Sequence, residues 1–347
     1  MDEVLFSTND NGVATITLNR PKAVNSLTYN MIVQIKEKLL AWEQDPSLHV
    51  VLLKGTGKRG FCAGGDIKTL YSARDSDEAM GNAMRFFSEE YKTDQLVARY
   101  SKPIIACLDG IVMGGGVGLS FGASHRIVTE RTKWAMPEMN IGFFPDVGAA
   151  YYLNQAPGHT GRYLALTAST QSAADTLYAK VSDFIISSEQ LGGFINKVNM
   201  TNWHNKNNIE ATLEQLIASH QNKTNPEAKL ASLQAKIDEH FTYNKVEEII
   251  DSLQADTSEF AVKTKEILLS KSPVSLKVAL KQIVDGETKT LKACLETDFI
   301  IAENYMKTAD FYEGVRSVII DKDQQPDYQY KQLADVSEAF VDSFFTK

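Results

Sequence analysis

Two glycine-rich segments and two carboxylates carry the chemistry that can be read from this chain. Gly60-Phe61-Cys62-Ala63-Gly64-Gly65-Asp66 and Met113-Gly114-Gly115-Gly116-Val117-Gly118 each follow an apolar, strand-like run. Consecutive glycines are costly in backbone entropy and are retained where φ must be positive or another group must approach closely. The second segment reads as a turn opening a helix, where unpaired N–H groups and a partial positive charge are presented. Backbone amides from two separate loops, aimed at one oxygen, form an oxyanion hole that stabilises an enolate or a tetrahedral intermediate. Nucleotide-binding loops use the same physics, but their spacing is missing. G-x-x-x-x-G-K-[ST] is absent, and Gly116-x-Gly118 leads to Phe121 where a third glycine is required. Tight packing of a helix on a sheet is the plain structural alternative.

The carboxylates are Glu138, in Ala135-Met136-Pro137-Glu138, and Asp146, in Phe143-Phe144-Pro145-Asp146-Val147-Gly148. Met139, Ile141, Phe143 and Phe144 between them predict an apolar pocket, where burial raises carboxyl pKa values. Two carboxyls in unlike surroundings can divide nucleophile, base and acid roles. The bland readings are a helix N-cap for Asp146 and a solvated loop acid for Glu138.

The elements that must position these groups follow a strand–loop–helix rhythm. Residues 3–18 read as two strands around Asn9-Asp10-Asn11-Gly12. Thr28 can cap a helix running to about Gln44, with Met31, Ile32, Ile35, Leu39 and Trp42 on one face. Strands are predicted over His49–Lys54, Pro103–Leu108 and Arg126–Val128, and a helix over 79–99. Short apolar strands alternating with helices predict a largely parallel sheet. The polar stretch at about 196–226 reads as a surface excursion. Beyond it helices are expected over Val246–Leu253, Ser258–Ser270, Ser275–Val284 and Lys289–Lys307. The organisation expected is an α/β core over 1–190 and a mainly helical region over 191–347.

Composition limits the partners. The 347 residues carry a net charge of −8, with no overall basic field for a nucleic acid. An anionic ligand must be held by local cations or backbone amides. The three cysteines, Cys62, Cys107 and Cys294, form no C-x-x-C pair and read as buried small hydrophobes in a reducing compartment. The six histidines show no metal-binding spacing, so no metal is expected. No apolar run is long enough to span a bilayer, and neither a signal peptide nor a transit pattern opens the sequence. A cytoplasmic location is expected, or an organellar matrix if a transit segment has been removed.

The two glycine loops, together with Asn19-Arg20-Pro21-Lys22-Ala23-Val24-Asn25-Ser26-Leu27, resemble the crotonase (enoyl-CoA hydratase/isomerase) superfamily. The resemblance implies the α/β crotonase (ClpP/crotonase-like) fold, a repeated ββα spiral core with a helical C-terminal region. It implies an acyl-CoA thioester substrate, with coenzyme A as part of that substrate and no separate cofactor, and association into a homo-oligomer. It places the oxyanion donors on Ala63 and Gly115, and has Gly64, Gly65 and Asp66 help line the coenzyme A site. Hydratases of the superfamily use two glutamates, one just after the triple glycine and one in a Pro-Glu pair. Here the first position is Gly118 and only Glu138 is kept. Glu138 and Asp146, with Phe86-Phe87-Ser88-Glu89-Glu90-Tyr91 and Asp310–Asp323, resemble the 3-hydroxyisobutyryl-CoA hydrolase branch. That likeness implies that Glu90 contacts substrate and that Glu138 and Asp146 act at the thioester. The reaction implied is hydrolysis of a short branched or 3-hydroxy acyl-CoA, foremost 3-hydroxyisobutyryl-CoA in valine catabolism. Ala149-Ala150, where the branch usually has glycines, and Pro326-Asp327-Tyr328, where it has Pro-x-Trp, depart from the pattern. The alternatives are an enoyl-CoA hydratase/isomerase working with one carboxylate and a non-catalytic acyl-CoA binding protein.

Overall fold

The structure, a computed structural model, describes residues 2–221 and 226–347. The chain divides into two compact units that interleave in sequence. One is built from Met1–Gly65, Lys92–Trp134 and Gln171–Ala228, the other from Asp66–Tyr91, Ala135–Thr170 and Lys229–Lys347. Residue 190, where a boundary is expected from sequence, lies inside a helix, Ser188–Met200.

The first unit holds the strands β1 (Val4–Thr8), β2 (Val13–Leu18), β3 (Val50–Gly55), β4 (Gly60–Cys62), β5 (Ile104–Leu108), β6 (Ile111–Met113), β7 (His125–Val128), β8 (Lys133–Ala135, its last residue excepted) and β9 (Phe184–Ile185). A six-stranded sheet runs β1-β2-β3-β5-β7-β9, and a smaller one runs β4-β6-β8. Among the described residues, only the β1–β2 hairpin is antiparallel in the larger sheet. Its turn closes because the Asn9 Oδ1 accepts from the amides of Asn11 and Val13, while Gly12 sits at φ +87°. Three times the chain lays one strand in the larger sheet and the next in the smaller: β3 then β4, β5 then β6, β7 then β8. The first two pairs run straight into the helices Ile67–Tyr71 and Gly115–Phe121. That is the ββα repeat expected from sequence.

Strand β5 and Val50–Leu53 of β3 are continuous, fully buried apolar runs, as parallel strands covered on both faces must be. The helix Tyr29–Glu43 has Thr28 as its cap and buries the five residues that the spacing predicts.

The 196–226 stretch is the main correction. Residues 222–225 lie outside the described residues, but most of the remainder is ordered cover for the sheet. Helices Ser188–Met200 and Ile209–His220 bring Leu191, Phe194, Val198, Leu213 and Ile217 onto Val13, Val50, Leu52, Ile105 and Ile127, with Trp203 between them. The apolar residues recur at helical spacing among Asn, Lys, His and Gln, so local polarity masked a narrow buried stripe. In the second unit the helix Pro273–Gly286 is central, buried on most sides and packed against the helices Thr160–Thr167 and Ala149–Tyr152. Its Pro273 occupies the first helical turn, where a missing N–H costs nothing. Among the described residues, no helix is long and apolar enough to cross a membrane.

Phe194→Ala should lower stability by about 3–5 kcal/mol in urea denaturation, the cost of emptying an aromatic core site. A loss below about 1 kcal/mol would remove the 188–221 segment from the core.

Candidate active site

In the first unit the two glycine loops meet. Gly64 has φ +105°, and a Cβ there would lie 3.3 Å from the Met113 carbonyl oxygen and 3.5 Å from the Gly115 amide nitrogen. Gly114 has φ +50°, and a Cβ on Gly116 would fall 2.7 Å from the Cys62 Cβ. Positive φ and close approach, the two reasons to keep a triple glycine, are thus both present in it.

The 19–27 loop acts as the clamp. Asn25 is fully buried, and its Nδ2 donates to the carbonyls of Thr56, Gly60 and Phe61 at 2.9, 3.1 and 3.1 Å. Its Oδ1 accepts from the Arg20 amide at 2.9 Å. Leu27 N–H donates to the Gly64 carbonyl, and Val24 offers its carbonyl to the Ala63 N–H at 3.0 Å. This last bond corrects the expected oxyanion pair, because an Ala63 amide engaged by Val24 has no hydrogen left for a substrate. Among the described residues, the Gly65 and Gly115 amides donate to no protein acceptor. Gly115 stays available because it is the first residue of its helix. Of the two amides on the first loop, that of Gly65 rather than Ala63 is therefore the one left without a protein acceptor among the described residues. Sequence spacing could not show it, since the choice depends on which amide faces the 19–27 loop.

The carboxylates lie in the second unit. Pro137 leads into a single 3-10 turn, Glu138–Ile141, closed by Gly142 at φ +64°. A side chain on Gly142 would strike the Asp310 carbonyl at 2.3 Å, and one on Gly314 would strike Ile141, so the helix Ala309–Val315 presses directly on this turn. Phe143 stacks on Phe87 and meets Phe144, Tyr305 and Phe311, which makes the surroundings as apolar as the sequence predicts. Glu138 is 7% exposed, and among the described residues its Oε2 has no hydrogen-bond partner. It is not a solvated loop acid.

Asp146 is not an N-cap either. The helix Ala149–Tyr152 starts from Gly148, and Asp146 offers it only a backbone carbonyl, to the Ala149 N–H at 2.9 Å. Its carboxylate turns instead to Tyr91, whose hydroxyl donates to Oδ2 at 2.6 Å. Tyr91 was visible in the Phe86–Tyr91 motif, but its role was not. Glu90 is buried one residue before it, in the helix Asp77–Ala98, and Asp66 caps the helix Ile67–Tyr71 by position.

Burial sets the protonation of these groups. It pushes Asp146 up to about 6, against the pull of the Tyr91 hydroxyl and the residue's own amide. Burial, reinforced by the Asp146 charge, raises Glu138 well above the ordinary carboxyl range. Two like charges in one apolar place cannot both form cheaply, so the pair keeps a proton at pH values where exposed carboxylates are bare. Burial, then the Asp146 and Asp298 charges, raise Tyr91 far above its usual value, so it remains an O–H donor. Among the described residues, no group of three or more His, Cys, Asp or Glu is arranged to hold a metal ion.

Fold and site together define a member of one family. Residues 13–345 match the enoyl-CoA hydratase/isomerase family, and the chain belongs to it, with the crotonase fold. Similar proteins include the mitochondrial 3-hydroxyisobutyryl-CoA hydrolase of Gallus gallus, 39% identical over 334 residues, which are 96% of this chain and 86% of that protein. The Homo sapiens protein of the same name is 39% identical over 95% of this chain and 85% of its own length. Among solved structures, a carnitinyl-CoA dehydratase from Mycobacterium thermoresistibile superposes with a TM-score of 0.92 at 35% identity, covering 100% of this chain and 97% of that one. An enoyl-CoA hydratase from Rhodobacter sphaeroides gives 0.88 at 32%, covering 99% and 97%.

The Tyr91 hydrogen bond stabilises the ionised form of Asp146, so Tyr91→Phe should make that carboxyl hold its proton to higher pH. A ¹³C-carboxyl NMR titration of the variant is expected to show the Asp146 midpoint moving up from about 6. A midpoint that stays or falls would remove Tyr91 from the site's electrostatics.

Proposed function

We propose that this chain hydrolyses the thioester of a short branched or 3-hydroxy acyl-CoA, foremost 3-hydroxyisobutyryl-CoA, to the free acid and coenzyme A, a step of valine catabolism. The observation that carries the reading is the buried pair Glu138 and Asp146, one with an oxygen free of protein partners and both with raised pKa. The 39% identity to 3-hydroxyisobutyryl-CoA hydrolases over nearly the whole chain supports the same reaction.

In this reading the thioester oxygen accepts hydrogen bonds from the Gly65 and Gly115 amides, a pair of donors each worth about 3–4 kcal/mol of barrier in comparable oxyanion holes. Gly64 and Asp66 help line the coenzyme A portion, and Glu90 contacts the acyl group. Two routes fit the carboxylates. Glu138 attacks the carbonyl carbon, the C–S bond breaks, coenzyme A leaves as a thiolate that takes a proton, and water then cleaves the mixed anhydride. Alternatively, Glu138 takes a proton from water, whose oxygen attacks the same carbon as the C–S bond breaks. A carboxyl with a raised pKa suits the second route, because a base poised near the working pH is more effective than one ionised far below it. In both, Asp146 orients the attacking group and manages the shared proton. Location in the cytoplasm or an organellar matrix and assembly into a homo-oligomer complete the proposal; fractionation and sedimentation test them.

A second reading, hydration or dehydration of an acyl-CoA, is favoured by the names of the two superposing structures. Against it stands Gly118, in the position just after the triple glycine where the superfamily's hydratases carry one of their two glutamates.

Glu138→Ala and Asp146→Ala should each lower thiol release from 3-hydroxyisobutyryl-CoA by at least about two orders of magnitude. Near-wild-type rates in both variants would sink the assignment. Loss of an enoyl chromophore without thiol release would establish hydration instead. In heavy-oxygen water, a single turnover should leave label on Glu138 by the anhydride route and only in the released acid by direct attack.

A further inference from the structure

The turn that carries Asp146 is strained. Val147 is buried and lies at φ +51°, and Gly148 follows at φ +83°. A β-branched residue in the left-handed region is rare and persists only where the surroundings over-determine it. Here they do so from both flanks. The Gly148 N–H donates to Asp298 Oδ2 at 2.8 Å, Gln282 Nε2 donates to the Pro145 carbonyl at 2.8 Å, and the same Nε2 donates to Asp298 Oδ1 at 2.7 Å. Asp298 is fully buried on the helix Leu291–Tyr305, and Gln282 is 2% exposed on the helix Pro273–Gly286.

We propose that Asp298 and Gln282 are positioning residues, whose bracket around the 145–148 turn keeps the Asp146 carboxyl under the Tyr91 hydroxyl in the geometry that hydrolysis needs. This rests on the hydrolase reading above.

The residue types follow from the donors they face. The Pro145 carbonyl can only accept, so the Gln282 atom against it must be the amide nitrogen. Its second hydrogen then points at residue 298, as does the Gly148 N–H. The two donors each meet a different carboxyl oxygen, whereas an asparagine would set its NH₂ against one of them. A structural filler at this depth would be apolar, because an acid here carries a desolvation cost: burial pushes Asp298 up to about 8, the Gly148 bond opposes it, and the Asp146 charge adds to it. That cost is retained beside the one strained turn that bears a site carboxylate.

The test is a double-mutant cycle on the full chain, read by thiol release from 3-hydroxyisobutyryl-CoA. Asp298→Asn keeps the shape but sets an NH₂ against one donor. It should lower kcat at least about tenfold with KM changed less than about threefold. In an Asp146→Ala background the same substitution should cost less than about twofold, because its effect acts through Asp146. Unchanged kcat in Asp298→Asn, or losses that multiply in the double mutant, would overturn the positioning role. Should Asp298→Asn fail to fold, Gln282→Met, which releases only the Pro145 carbonyl and one acceptor contact, carries the same cycle and the same criteria. A wild-type protein that releases no thiol from any acyl-CoA would instead overturn the hydrolase reading, and this inference with it.

Discussion

Burying two carboxyl groups side by side is the constraint around which the second unit is organised. An isolated carboxylate taken from water into an apolar interior is strongly disfavoured, and a second one nearby adds repulsion. The chain meets this cost with neutral donors rather than cations. Tyr91 gives its hydroxyl to Asp146, and backbone amides serve both acids. A lysine or arginine in their place would pull both pKa values down and leave two fully ionised, weakly basic groups. Neutral donors leave the pair holding a proton near neutral pH, which is the state from which acid and base chemistry can both start.

The first unit solves a different problem with similar means. Its unengaged groups are main-chain amides, which cannot be tuned by side-chain identity and must be exposed by geometry alone. The loop 19–27 takes up the Ala63 amide through the Val24 carbonyl, while the Gly65 amide two residues on meets no protein acceptor among the described residues. Val24 and Asn25, consecutive residues at positive φ, are held in that shape by the Asn25 side chain and its carbonyl partners. Both units thus place a pair of left-handed residues beside a functional loop and lock them with a buried amide or carboxyl, Asn25 in one case and Asp298 with Gln282 in the other.

Much of this was legible in sequence, and the division is physical. Period-two and period-3.6 patterns located β1 to β3, β5, β7 and the helix after Thr28, because those elements are set by local burial. Glycine runs marked positive φ and close approach at Gly64, Gly114 and Gly116. The buried environment of Glu138 and Asp146 followed from the Met, Ile and Phe residues between them. What failed were features decided by partners far along the chain. The resemblance puts an oxyanion donor on Ala63, and nothing local reveals that Val24 takes the Ala63 hydrogen. Asp298 and Gln282 lie about 140–150 residues from the turn that they hold, a separation that no motif spans. The 188–221 helices were obscured because their buried stripe is narrow and their exposed faces dominate the composition.

The same dependence on distant partners bears on the departures from the hydrolase branch. Two alanines at 149–150, in place of glycines, add two methyl groups next to the turn that carries Asp146. The structure shows where one of the methyls goes. A Cβ built on Gly286 would sit 2.7 Å from the Ala150 Cβ, so the helix Pro273–Gly286 provides the room by having no side chain at that point. Ala149 and Ala150 are 0% and 2% exposed, packed as core residues. Tyr328 shows a similar accommodation: it lies against Gly142, where an added Cβ would come within 2.9 Å of its ring. The Ala150 methyl is matched by a missing side chain opposite, and Tyr328 by a glycine in the Glu138 turn. At Ala150 and Tyr328, then, the departures are absorbed by packing within the second unit, and they give no reason to expect an altered acyl preference.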